Sequence, residues 1–206
     1  MKIKKFTSII VLSTILILAV SQMSNAATVT FEGTPVKQAT LDGRWNKGAL
    51  SNDNSDQAKG TTYFSESTPI QFAIAVLASG VTPETKQIFE KGEGKLSAKQ
   101  KSELENHSNP HTLRSCAERG EPEMVKTTGK NMLLNNFVEE ERINIAIAGG
   151  AQCKQACKYQ CHAFTLVNEK VVHIFLVQAI MSAPENAKLQ AMSKQFQSIL
   201  STIEWR

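Results

Sequence analysis

The amino-acid sequence predicts an α+β fold: an antiparallel sheet covered by helices on one face, including a C-terminal amphipathic helix, with a disulfide-stapled loop region. Three features predict it. Ile143, Ile145 and Ile147 alternate with Asn144, Ala146 and Ala148; two strand-like runs meet at Asn168-Glu169-Lys170; and apolar residues recur every three or four positions after Pro184. With 206 residues, 41% hydrophobic and 20% charged, the chain is neither disordered nor a multi-span membrane protein, and it has room for one sizeable core or two small ones.

Residues 1–26 read as an export signal. Lys2, Lys4 and Lys5 make a positive start, Phe6 to Val20 is uncharged and mostly apolar, and Ser24-Asn25-Ala26 supplies the small residues at which a signal peptidase cuts. The run is short of the ~20 residues a spanning helix wants, so no stable membrane span is expected after cleavage. No Cys lies near the cleavage site, which argues against a lipoprotein, and the expected location is periplasmic or secreted. The signal takes three of the 23 basic side chains and none of the 19 acidic ones, leaving the rest of the chain close to neutral. A nucleic-acid surface needs a basic patch with stacking aromatics, and neither is present.

Residues 27–60 are expected to form a polar N-terminal arm, with one possible strand over Thr28 to Glu32, ending in the polar stretch Ser51 to Asp56. Within it Arg44 and Trp45 are candidate partner-binding residues, although packing of the arm onto the core is the favoured role for Trp45. A single α+β domain is expected over 61–206. Ile70 to Ala78, bounded by Pro69 and Gly80, fits a strand buried on both faces. Thr82 and Pro83 open a helix to about residue 91, closed by Gly92. Ser97 and Gln100 have capping-box spacing for a second helix, reaching about Asn106.

Residues 106–129 read as loop with one strand near Met124, since Pro110, Gly120 and Pro122 punctuate them. Two strands follow later, Tyr159 to Val167 and Val171 to Ala179, forming a tight hairpin. Leu189, Met192, Phe196, Ile199 or Leu200, and Ile203 then line one face of the closing helix. The segment 164–206, FTLVNEKVVHIFLVQAIMSAPENAKLQAMSKQFQSILSTIEWR, resembles the closing hairpin and helix of the PsbP-like α+β family, including a Phe-x-x-Ile-Leu-x-x-Ile run. The resemblance implies a binding or assembly-factor domain without a shared catalytic set. The four cysteines and the polar arm depart from that pattern.

Cys116, Cys153, Cys157 and Cys161 form an even set in an exported chain, the signature of two disulfides. Residues four apart on an extended strand lie roughly 13 Å from each other, too far for a disulfide. A bond within the cluster therefore needs a turn, and a loop over 149–158 after Gly149-Gly150 is expected to supply it. Cys153–Cys157 with Cys116–Cys161 is the favoured pairing; Cys116–Cys157 with Cys153–Cys161 stays open. The alternative is a metal- or thiol-dependent site, enzyme or metal binder, built from Cys153, Cys157, Cys161 and His162, with His107 or His111 as other donors. Spacing weighs against it, because the two-residue gap usual between paired zinc-binding Cys is missing.

No G-x-S-x-G, H-E-x-x-H, P-loop or G-x-G-x-x-G motif occurs, and Thr128-Gly129-Lys130 is too short for a phosphate cradle. His173 sits in an apolar run, where it reads as a structural histidine, and Glu139-Glu140-Glu141 reads as a solvated turn. Asn106-His107-Ser108 matches a glycosylation sequon, relevant only in a eukaryotic secretory route. No catalytic residue and no cofactor are assigned. The reading favours an exported, non-catalytic, disulfide-stabilised binding or accessory domain contacting a protein or envelope component. A secreted effector-like virulence factor would share the same chemistry.

Overall fold

A computed structural model describes residues 26–48, 58–77, 82–92, 97–100, 122–147, 150–180 and 186–206, with backbone alone at 137, 139–147, 150–157, 179, 180 and 186. The described elements run β1 (Ala26–Thr30), β2 (Val36–Asp42), β3 (Trp45–Gly48), β4 (Ala58–Ser65), β5 (Ile70–Leu77), α1 (Pro83–Lys91), β6 (Glu123–Thr127), β7 (Lys130–Ile147), β8 (Gly150–Val167), β9 (Lys170–Ile180), α2 (Asn186–Ser201) and β10 (Glu204–Trp205). They form a seven-stranded sheet in the order β3-β4-β5-β9-β8-β7-β6 and a three-stranded sheet in the order β1-β2-β10. The pairings are antiparallel throughout.

Strand alternation divides the large sheet into two apolar faces. On one, Phe72, Ile74, Met132, Leu134, Cys161, Ile174 and Leu176 meet Met192, Phe196, Ile199 and Leu200 of α2 together with Phe31, Val36 and Leu41 of the small-sheet layer. Burying such side chains contributes about 1.5–3 kcal/mol each, so this layer holds the fold together. On the other, Leu77, Leu133, Phe164 and Val171 pack with Phe89 of α1. The two helices therefore lie on opposite faces. The stripe of α2 falls where its periodicity requires, Met192, Phe196, Ile199, Leu200 and Ile203 all being buried.

This corrects the expectation of a sheet covered by helices on one face and stapled at a loop. The chain is mainly antiparallel sheet, and much of the face opposite α1 is covered by a second sheet. The N-terminal segment supplies most of it: residues 26–48, read as a loose polar arm, form β1 and β2 of that sheet and edge strand β3 of the large one, and Phe31, Val36 and Leu41 are fully buried. Alternation explains the error, because β2 buries only every second or third residue among Lys, Gln and Thr and so reads as polar overall. The expected loop over 149–158 is also absent. Gly150 to Val167 is one strand, paired residue for residue from Ile147↔Gly150 to Met132↔Thr165. Glu139, Glu140 and Glu141 lie in strand β7 rather than in a turn.

Helix α1 follows its sequence signals. Thr82 caps it, its hydroxyl accepting the Thr85 N–H at 3.4 Å; Pro83 takes the first turn; and Gly92 at φ +69 returns its N–H to the Ile88 carbonyl at 3.0 Å. The Ser97/Gln100 capping box is formed reciprocally, at 2.8 and 3.3 Å. Residues 101–106 of that helix lie outside the described residues.

Candidate functional site

Two tight hairpins bring their tips to the same end of the large sheet. The β6–β7 turn places Thr128 at φ +47 and Gly129 at +74, and the β8–β9 turn places Asn168 at +49 and Glu169 at +64. Two consecutive positive φ values match the right-handed strand twist in a two-residue turn, and Asn-Gly is the sequence that adopts them most easily. Thr128, Asn168 and Glu169 are the described non-glycine residues with positive φ, and all three lie at this end. Strain of this kind gathers where a surface has work to perform.

Between the tips and α1 lies a cleft of about 310 Å³, floored by Phe89 and Leu166 and rimmed by Lys86, Glu90, Asn168 and Glu169. Its volume is at the small end of ligand sites. Lys86 Nζ reaches Glu169 at 2.8 Å and Glu90 at 3.8 Å, joining α1 to the β8–β9 tip. The hydrogen bond and charge of Glu169 raise the Lys86 ammonium above its ordinary value, and Lys86 lowers the Glu169 carboxyl in return. Asn131 on the inner wall donates Nδ2 to the Phe89 carbonyl at 2.7 Å, occupying one of the carbonyls that end the helix. Lys130 Nζ sits 5.8 Å from the centre of the Trp205 ring, within cation–π reach.

The residues picked out by sequence lie elsewhere. Trp45 opens edge strand β3, packs against the main core and donates Nε1 to the Asp42 carbonyl at 2.8 Å. Arg44 beside it is exposed, and its carbonyl accepts the Glu66 N–H at 3.0 Å. Cys116, His107 and His111 fall outside the described residues, as do the side chains of Cys153 and Cys157. The backbone of Cys153 and Cys157 is continuous strand, so the turn needed to join them is missing. Cys161 carries a free thiol, fully buried in the main core.

Neighbouring residues of a strand point to opposite faces, and Cys161 and His162 do so: the thiol enters the layer against α2, the imidazole the α1 face. A Cys3His set that includes both cannot close around one ion. Among the described residues no three His, Cys, Asp or Glu side chains cluster as a metal site. Burial pushes the Cys161 thiol up to about 12, which keeps it protonated and unreactive at neutral pH. His162 and His173 instead pair with each other, Nδ1 of the first 2.7 Å from Nε2 of the second. Their rings are 3% and 4% exposed, away from the cleft rim.

Lys86, Glu90 and Glu169 were not legible as a site from sequence. The one signal was Glu169 itself, a glutamate where a two-residue turn after Asn favours glycine.

No family model matches the chain, and no curated protein matches it. Solved structures similar to it include a point mutant of the protein Mog1, with 9% identity, 88% of this chain and 96% of that chain covered, and a TM-score of 0.48. The Saccharomyces cerevisiae Ran-binding protein Mog1p gives 10% identity, the same coverage and a TM-score of 0.45. A Bacteroides thetaiotaomicron protein gives 9% identity over 82% of this chain and 44% of that one, with a TM-score of 0.37. At these scores the likeness assigns this chain neither a partner nor an activity. Among the described residues no helix is long and apolar enough to cross a membrane.

Proposed function

We propose that the chain is an exported, non-catalytic binding or accessory domain that contacts a protein partner through the cleft between α1 and the two hairpin tips. One observation carries this reading: the described groups best suited to chemistry are withdrawn from the surface that is shaped for contact. The Cys161 thiol lies in the main core and the two histidines bond each other under the sheet face. The cleft carries the Lys86 ammonium and the carboxylates of Glu90 and Glu169 over an apolar floor, a lining that recognises a polar segment without a nucleophile and base aligned beside it. Export rests on the N-terminal signal pattern. Cleavage after Ala26 is compatible with the fold, since the pairing of Ala27–Thr30 with Gln38–Leu41 survives it. The PsbP-like resemblance of residues 164–206 supports an accessory role.

The test is photocrosslinking in the exporting cell, with a photoreactive residue at position 168 on the cleft rim or at position 47 on β3. A defined adduct from position 168 that weakens with Lys86→Glu, while N-terminal sequencing of the exported protein begins at Ala27, is the expected result. Equal labelling from both positions, or none from either, would sink the cleft as the contact surface.

A further inference from the structure

We propose that His162 and His173 form an acid-sensitive clasp that seats α1 on the large sheet near neutral pH and releases it when both rings are fully protonated. His162 Nε2 lies 2.9 Å from Gln160 Oε1, an oxygen that only accepts, so this nitrogen carries a hydrogen. In the neutral pair His162 Nδ1 is then the acceptor, and the bond at 2.7 Å is donated by His173 Nε2–H. This tautomer is assigned from the hydrogen-bond network. The ring planes are 15° apart with centroids 5.0 Å apart, the geometry of two rings bonded edge to edge. The bond ties β8 to β9 across the middle of the face that carries α1.

Proton counting makes the bond conditional. The neutral pair holds two protons on four nitrogens. Three protons still leave one N–H facing one lone pair, whereas four place two N–H groups against each other at 2.7 Å and the bond is lost. The unfolded chain takes a proton at each imidazole near pH ~6.5, two in all, whereas the clasped pair has room for no more than one. Each proton of difference raises the opening equilibrium about tenfold per pH unit below that value.

The described neighbours are uncharged. Opposite the pair in the sheet stand Asn135 of β7, Ala75 of β5, Phe164 of β8 and Phe175 of β9, and α1 brings Ile88 and Phe89 to the same face. Among these described residues none is ionisable. Phe164 transmits the change. It stacks on His173 at 4.4 Å with planes 8° apart, and it packs in one cluster with Phe89 of α1. Loss of the clasp therefore loosens the helix that walls the cleft. Only the consequence for partner binding rests on the function proposed above; the clasp itself is tested with no partner present.

The experiment is amide hydrogen exchange of the whole protein at pH 7.5 and pH 5.0, corrected for intrinsic exchange, with nitrogen-15 spectra of the imidazoles. The wild type is expected to lose protection across Pro83–Lys91 and Val171–Phe175 by about tenfold or more between the two conditions. His162→Gln is expected to lose less, its slope shallower than the wild type's by one proton, because a glutamine oxygen at that position accepts from His173 Nε2–H whether His173 is neutral or charged. Unchanged protection in the wild type, or an equally steep loss in His162→Gln, would overturn the clasp. Should that variant not fold, the wild-type spectra decide: two fully protonated imidazoles with α1 still protected overturn it, and loss of α1 protection in step with the second protonation supports it.

Discussion

Trp205 donates its indole N–H to the Thr128 hydroxyl at 2.9 Å, joining the penultimate residue of the chain to the tip of the β6–β7 hairpin. Thr128 is β-branched and stands at φ +47, a conformation that such residues rarely hold unaided. Around it the C-terminus is fixed on several sides. The Arg206 N–H reaches the Pro35 carbonyl at 2.8 Å, and its guanidinium reaches the Thr34 carbonyl at 3.1 Å. The end of the chain thus braces both the small sheet and one lip of the cleft.

Trp205→Phe should keep most of the packing but remove the donor, costing about 1 kcal/mol. Thr128→Ala removes the acceptor from the other side. If the bond is the shared element, the double variant will lose less stability than the two single variants added together, as read from denaturant midpoints. Strict additivity would mean that Trp205 acts through packing alone.

Cys161 gives a prediction with a pH window. Burial raises its thiol from 9.0 to about 12, so the folded chain keeps a proton that the unfolded chain releases. Stability from this group is complete below about pH 9 and is lost as pH rises towards 12, at about 1.4 kcal/mol per pH unit. Cys161→Ala should flatten that part of the alkaline limb relative to the wild type, and iodoacetamide should reach the thiol only as the protein unfolds. An identical alkaline limb in the variant would refute the effect of burial.

Much of the fold could be read from the residues, and the exceptions share a cause. Elements with regular periodicity came through: the stripe of α2, the hairpin at Asn168-Glu169, and α1 with its Thr82, Pro83 and Gly92 signals. What failed were strands whose outward residues are polar. In β2 the buried Val36, Ala39 and Leu41 are separated by Lys37, Gln38 and Thr40, so the average polarity suggested an arm. At the start of β8 the pair Gly149-Gly150 and the three spaced cysteines suggested a loop, although the long partner strand β7 runs alongside and pairs with β8 from Gly150 onward. The cleft was less visible still, because Lys86 and Glu169 are far apart in sequence and meet only where α1 packs beside the β8–β9 tip. The His162–His173 pair has the same origin: a diagonal across β8 and β9 that no local spacing announces.

Glu169 pits a turn preference against an ion pair. At φ +64 a glycine would sit without strain, while the glutamate holds Lys86 at 2.8 Å on an exposed surface where such pairs contribute little. Glu169→Gly should therefore raise the Tm at neutral pH. Lys86 holds the Glu169 carboxyl below its ordinary value, so the contribution of the pair is present above that value and is lost as pH falls through the folded one. The gain in Tm should accordingly widen in acid. A lower Tm at neutral pH would show that the pair outweighs the turn.

Gly92 ends α1 at φ +69, and a Cβ built there would lie 2.7 Å from the side-chain amide of Asn131. Gly92→Ala therefore carries two costs. The left-handed backbone is worth about 1–2 kcal/mol against alanine, and Asn131 must leave the Phe89 carbonyl that it holds at 2.7 Å. The two can be separated, because Asn131→Ala removes the clash but leaves the backbone term. Gly92→Ala should cost about 1 kcal/mol less in the Asn131→Ala background than alone, measured by thermal or denaturant unfolding. Equal costs in the two backgrounds would mean that Asn131 moves aside freely, and that its bond to the helix end does little to set the α1 wall of the cleft.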